Sequence, residues 1–176
     1  MQVEEMIAVH APVSRARSAL VTVADMRRWV APDVFVHPGS ATATLVPGDR
    51  FTLDVFGGLR FDYLMEGASD REVAFTFSGP WRGRERWSFV PDGAETLVRR
   101  RYDADDLSVL GALAWNTVGW ALVGAHYRLE LSRFRALVER EAGPPAEIES
   151  GGAAYIAPVS GAGADDGELP FPVDDG

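Results

Sequence analysis

The chain has 176 residues, a one-domain length with room for a real core, and its 47% apolar and 24% charged residues are an ordinary globular balance. The absence of cysteine excludes a disulfide framework, thiolate metal ligation and a cysteine nucleophile, and it fits the reducing cytoplasm in which the protein is expected. The net charge of −9 is no footprint for nucleic acid: all 17 positive residues are arginines scattered along the chain, against 19 acidic residues before Ala142 and seven after it.

Met1-Gln2-Val3-Glu4-Glu5 lacks a basic stretch leading into an apolar run, so no secretory signal is expected there. Val3 to His10 is expected to form the first strand, with Ile7 and Val9 on one face, and Ala11-Pro12 ends it. Ala16, Leu20, Val23 and Met26 then recur near helical spacing, which predicts a short amphipathic helical stretch from about Val13 to Trp29. Pro32 and Pro38 mark an irregular connection.

From Ser40 to Tyr102 the apolar period becomes two. Phe51, Leu53 and Val55 form one face; Phe61, Tyr63 and Met65, then Phe75 and Phe77, then Trp87 and Phe89 repeat the pattern. For consecutive runs to share a face, the loop between them must hold an odd number of residues. Phe56-Gly57-Gly58, Ser69-Asp70-Arg71 and Pro80-Trp81-Arg82 satisfy this, with a glycine in the first loop able to take positive φ. Asp92-Gly93 is the clearest hairpin turn. Centred there, it pairs Phe89 with Thr96, Trp87 with Val98 and Glu85 with Arg100.

Leu107 to Ala125 is 19 residues without a charge, long enough for a membrane span. Ser108, Asn116, Thr117 and glycines 111, 119 and 124 argue against one. So does its continuation into an Arg-rich amphipathic helix through Tyr127, Leu131, Phe134 and Val138. A helix covered all round by a curled sheet has the same composition, and no integral membrane segment is expected. The domain should therefore run from 1 to 141. Residues 142–176, rich in Gly, Ala, Pro and acid, cannot bury enough apolar area to offset their ordering entropy and are expected to be disordered.

This order of elements resembles the START-like (SRPBCC) superfamily, in its polyketide cyclase/dehydrase-like branch. The matching residues are Ile7-x-Val9-x-Ala11-Pro12, Asp25-x-x-x-Trp29, Val46-Pro47-Gly48-Asp49, Trp87-x-Phe89-x-Pro91 with Thr96-x-Val98, and Leu131-x-x-Phe134-x-x-Leu137-Val138-Glu139. The resemblance implies an α+β helix-grip fold: a seven-stranded curved antiparallel sheet around a long C-terminal helix, with two short helices after the first strand. It also implies a cavity between sheet and helix. Relatives bind lipids, sterols, polyketides or hormones, and some cyclise polyketides, so the fold leaves function open.

The candidate site lies on the concave sheet face. Glu85 and Arg100 would form an ion pair inside an apolar cup, as ligand-orienting or acid/base groups or as a structural salt bridge. Phe61, Tyr63, Phe75, Phe77, Trp87, Tyr102, Asn116 and Trp120 are the remaining candidate ligand contacts; Tyr63, Tyr102, Asn116 and Tyr127 offer polar tips. Arg99 and Arg101 should face solvent. Trp115 and Trp120 fall on different sides of the long helix. His10, His37 and His126 have no metal-ligand spacing, and His126 reads as a helix-surface residue, with a place at the pocket's edge as the alternative. No phosphate loop or Gly-x-Ser-x-Gly elbow is present, so neither metal nor cofactor is expected. The reading that follows is a binding protein for a small hydrophobic molecule such as a lipid, isoprenoid or aromatic polyketide. The alternatives are a polyketide cyclase or dehydratase using the same cavity and a protein-interaction module. The oligomeric state stays open.

Overall fold

The structure, a computed structural model, describes residues 2–39, 43–55, 57–105 and 120–143, all within one compact unit, Met1–Pro145. Seven antiparallel strands form one curled sheet: β1 (Gln2–Val9), β2 (Val34–His37), β3 (Arg50–Val55), β4 (Leu59–Ala68), β5 (Glu72–Ser78), β6 (Arg82–Asp92) and β7 (Glu95–Asp105). Their order across the sheet is β1-β7-β6-β5-β4-β3-β2. Helices α1 (Val13–Val21) and α2 (Val23–Trp29) follow β1, and α3 (Trp120–Ala142) follows β7. This is the helix-grip architecture.

The two short helices are separated at Thr22, which is extended at φ −82 and ψ 120. The run Val21-Thr22-Val23 is β-branched throughout and resists helix. It is held instead by a strand-like exchange: Leu45 donates to the Val21 carbonyl at 2.8 Å and Val23 donates to the Ala43 carbonyl at 2.9 Å. Trp29 at the end of α2 reaches back, its Nε1 donating to the Ala19 carbonyl at 3.1 Å.

Period-two patterning places Phe51, Phe61, Tyr63, Phe75, Phe77, Trp87 and Phe89 on the concave face, all buried. Against them lie Trp29 of α2 and Phe134, Leu131 and Val138 of α3. Trp87, fully buried, has its ring 5.5 Å from Trp29 and 5.6 Å from Phe134. Truncating an aromatic packed in this way typically costs about 3–5 kcal/mol.

Three details depart from the sequence reading. The segment between Pro32 and Pro38 holds the edge strand β2, pairing Val34 with Val55 and Val36 with Leu53. Prolines are tolerated at an edge, where one side of the strand needs no ladder partner, so they flank β2 without abolishing it. The loop between β5 and β6 is Gly79-Pro80-Trp81, one residue earlier than expected. The β6–β7 hairpin turns at Gly93-Ala94, with Asp92 opposite Glu95 and Gly93 at φ 59. The expected pairs therefore slip by two: Phe89 faces Val98, Trp87 faces Arg100, and Glu85 faces Tyr102. A slip of two leaves every side chain on its expected face. Gly57 takes a positive φ of 69 between β3 and β4, and the loop at 69–71 lies where expected, although β4 and β5 also shift register at a bulge between Met65 and Gly67.

Helix α3 ends at Ala142 with Gly143 at φ 80, a left-handed stop suited to glycine. No helix among the described residues is long and apolar enough to cross a membrane. The uncharged stretch before Trp120, with Trp115 and Asn116, and the tail from 144 lie outside the described residues.

Candidate functional site

Arg100 on β7 and Glu85 on β6 are diagonal neighbours on the concave face, and both are about 4% exposed. Arg100 Nε donates to Glu85 Oε1 at 2.8 Å. Glu85 also accepts from Trp87 Nε1 at 2.6 Å and from the Tyr63 hydroxyl at 3.1 Å. Three donors therefore converge on this one carboxylate and fix its position.

A second carboxylate completes the arrangement. Glu130, on α3 and 3% exposed, accepts a hydrogen bond from Arg100 Nη1. Its other oxygen accepts from the Ala31 backbone at 3.2 Å and lies 3.3 Å from His126 Nε2. Burial alone would raise the Glu130 pKa, but Arg100 and His126 outweigh it and hold the carboxyl at about 2. Burial opposes the charge on Arg100, and Glu85 and Glu130 more than restore it, leaving its pKa raised. Arg100 also stacks over the Tyr127 ring, 3.7 Å from its centroid. One guanidinium thus joins β6, β7 and α3 beneath the opening of the cup.

Above this triad is a cleft open to solvent, with a cavity volume of about 70 Å³. Leu53, Val55, Leu59 and Phe61 form its sheet wall, Val34 and Trp81 flank it, and Val123, His126 and Tyr127 form its helix wall. Tyr63, Arg100, Tyr102 and Glu130 make the floor polar. Tyr102 accepts a hydrogen bond from Trp81 Nε1 at 2.5 Å, and its ring stacks on Phe77 with centroids 4.6 Å apart. Burial pushes the Tyr63, Tyr102 and Tyr127 hydroxyls above their ordinary pKa, so all three remain protonated donors.

Among the sequence candidates, Phe61, Tyr63, Arg100 and Tyr102 line this cleft. Phe75, Glu85 and Trp87 line a deeper recess that shares Tyr63 and Arg100 with it. Phe77 does not line the cleft; it backs the floor between Phe61, Tyr63 and Tyr102. Asn116 and the Trp120 side chain lie outside the described residues. Arg99 and Arg101 are exposed, as expected. His126 is no surface residue: its side chain is 12% exposed and bridges Glu130 and, at 4.0 Å, Asp33. Glu130 was missed, although it left a trace. It stands within the stripe Tyr127, Glu130, Leu131, Phe134, Val138, and a charge inside an apolar helical stripe signals a buried partner.

The family model for polyketide cyclase / dehydrase and lipid transport matches residues 1–139. A search of curated proteins gives no match. Among solved structures, the chain is similar to TTHA0849 from Thermus thermophilus, with a TM-score of 0.66 and 15% identity over 81% of this chain and 99% of that one. It is also similar to the Aha1 dimer from Colwellia psychrerythraea, with a TM-score of 0.61 and 15% identity over 79% and 96% of the two chains. A third likeness is to DynU16 of the dynemicin biosynthetic locus, with a TM-score of 0.59 and 16% identity over 82% of this chain and 48% of that one. At such identities the structural likeness establishes the fold.

Proposed function

The chain belongs to the polyketide cyclase / dehydrase and lipid transport family, and on that premise we propose that it binds a small hydrophobic molecule in the cleft between the sheet and α3. The observation that carries this reading is the distribution of polarity: aliphatic and aromatic walls above a floor of Tyr63, Arg100, Tyr102 and Glu130. Apolar walls supply affinity by removing ligand surface from water, at roughly 25 cal/mol per Å², and the few polar groups set orientation. The Glu85–Arg100–Glu130 triad is the rigid base of the site, since each carboxylate is held by several donors. An aromatic polyketide, isoprenoid or lipid chain has the matching chemistry, and DynU16 comes from a biosynthetic locus.

Native mass spectrometry of freshly purified protein tests the reading. A co-purifying apolar mass that is released when Phe61→Asp is introduced at the sheet wall is the expected result. Protein that carries no adduct and takes up none from a panel of apolar aromatics and lipids would remove it.

A further inference from the structure

Tyr102 and Tyr127, side by side in the cleft with ring centroids 5.6 Å apart, each carry a hydroxyl proton without an acceptor among the described residues. The Tyr102 oxygen is taken as an acceptor by Trp81 Nε1, so its own proton must go elsewhere. The Tyr127 hydroxyl makes no hydrogen bond to the described residues, while its ring is pinned under Arg100. A few polar groups in an apolar cleft set the orientation of what binds there, so two lining hydroxyls with protons to give suit an occupant that brings an acceptor.

The charge beneath them bears on what that acceptor can be. Arg100 is shared by Glu85 and Glu130, so the buried triad carries two carboxylates for one guanidinium. A ligand carboxylate would add a third anion to a cation already engaged twice, in surroundings of low dielectric. His126, at the helix wall, faces Glu130 and Asp33 and is already engaged with acidic groups.

We propose that the cleft takes an uncharged apolar molecule whose carbonyl oxygen accepts from the Tyr102 and Tyr127 hydroxyls, and that it discriminates against the corresponding carboxylic acids. This rests on the cleft being a ligand site at all. Burial holds both phenols in the protonated, donating form at neutral pH, which suits the role.

Isothermal titration with three probes of one skeleton tests both layers: methyl naphthyl ketone, ethylnaphthalene and naphthoate, at mildly alkaline pH. The ketone should bind about tenfold more tightly than ethylnaphthalene, the scale of one or two net hydrogen bonds, and naphthoate should bind more weakly than both. In Tyr127→Phe, which keeps the ring under Arg100, the ratio of ketone to ethylnaphthalene affinity should fall towards one; Tyr102→Phe should act in the same direction. Naphthoate binding as well as the ketone overturns the proposal, as does a ketone preference that survives Tyr127→Phe. If ethylnaphthalene binds and the ketone binds no better, only this proposal falls. If neither binds to folded protein, the cleft-binding reading falls with it.

Discussion

Arg100 lies between Glu85, at 2.8 Å, and Glu130, with its side chain 5% exposed, so deleting it leaves two carboxylates buried without their shared cation. Breaking a buried pair from one side typically costs about 3–5 kcal/mol, because the surviving charge loses its compensation. Arg100→Leu is therefore expected to lower stability by that order in urea denaturation. Glu130→Gln keeps the volume, and its amide oxygen can still accept from the Ala31 backbone, so it should cost less. The informative variant combines them: Arg100→Leu with Glu130→Gln should recover part of the loss. A double variant as unstable as the sum of its parts would show that packing, rather than charge, dominates at this point.

At the scale of elements, the sheet owes its tight β5–β6–β7 junction to one glycine. Gly83 is buried opposite Phe77 and Ala104, and a Cβ there would lie 2.1 Å from the Asp103 carbonyl oxygen and 2.7 Å from the Phe77 ring. The Phe77–Tyr102 stack that floors the cleft passes over this gap. Gly83→Ala should cost about 1–3 kcal/mol through overpacking, and on the proposed function it should weaken ligand uptake by displacing Tyr102. Gly58→Ala, where a Cβ would meet nothing within 4 Å, is the matched control. Thermal melts of the two compare them directly; equal losses would mean the close approach is not felt. The helices are joined separately at the other end of the domain. Arg15 and Arg28 both bridge Asp25 of α2 to Glu141 near the end of α3, which accounts for an acidic residue buried at position 25.

For the whole molecule, these ionisations set the pH range of stability. The Glu130 pKa is lowered from 4.5 to about 2, so its contribution is present above the unfolded value and is lost as pH falls from about 5 towards 2. On the usual conversion that acid limb is worth roughly 3 kcal/mol, and Glu130→Gln should flatten it. Tyr63, Tyr102 and Tyr127 behave in the opposite sense. Their folded pKa values are raised above 10, so stability is intact below pH 10 and declines above it, as the unfolded chain ionises first. Melting temperature followed across both limbs checks the two signs together. An acid limb equally steep in Glu130→Gln would place the titrating group elsewhere.

Legible in the residues alone were the strand faces, the helical stretch after β1 and the concave position of Glu85 and Arg100. Those features follow from periods of two and 3.6 and from loop parity, which are local properties of the chain. They survive even a two-residue error of register, because the side-chain period is two. Only the packed chain shows that Phe89 pairs with Val98 and not with Thr96, that β2 joins the edge between two prolines, and that Phe77 backs the cleft floor without lining the cleft. It also shows that Glu130, 30 residues beyond Arg100, closes the triad from the helix side. A residue's partner across such a separation depends on where α3 crosses the sheet, and no local period encodes that crossing.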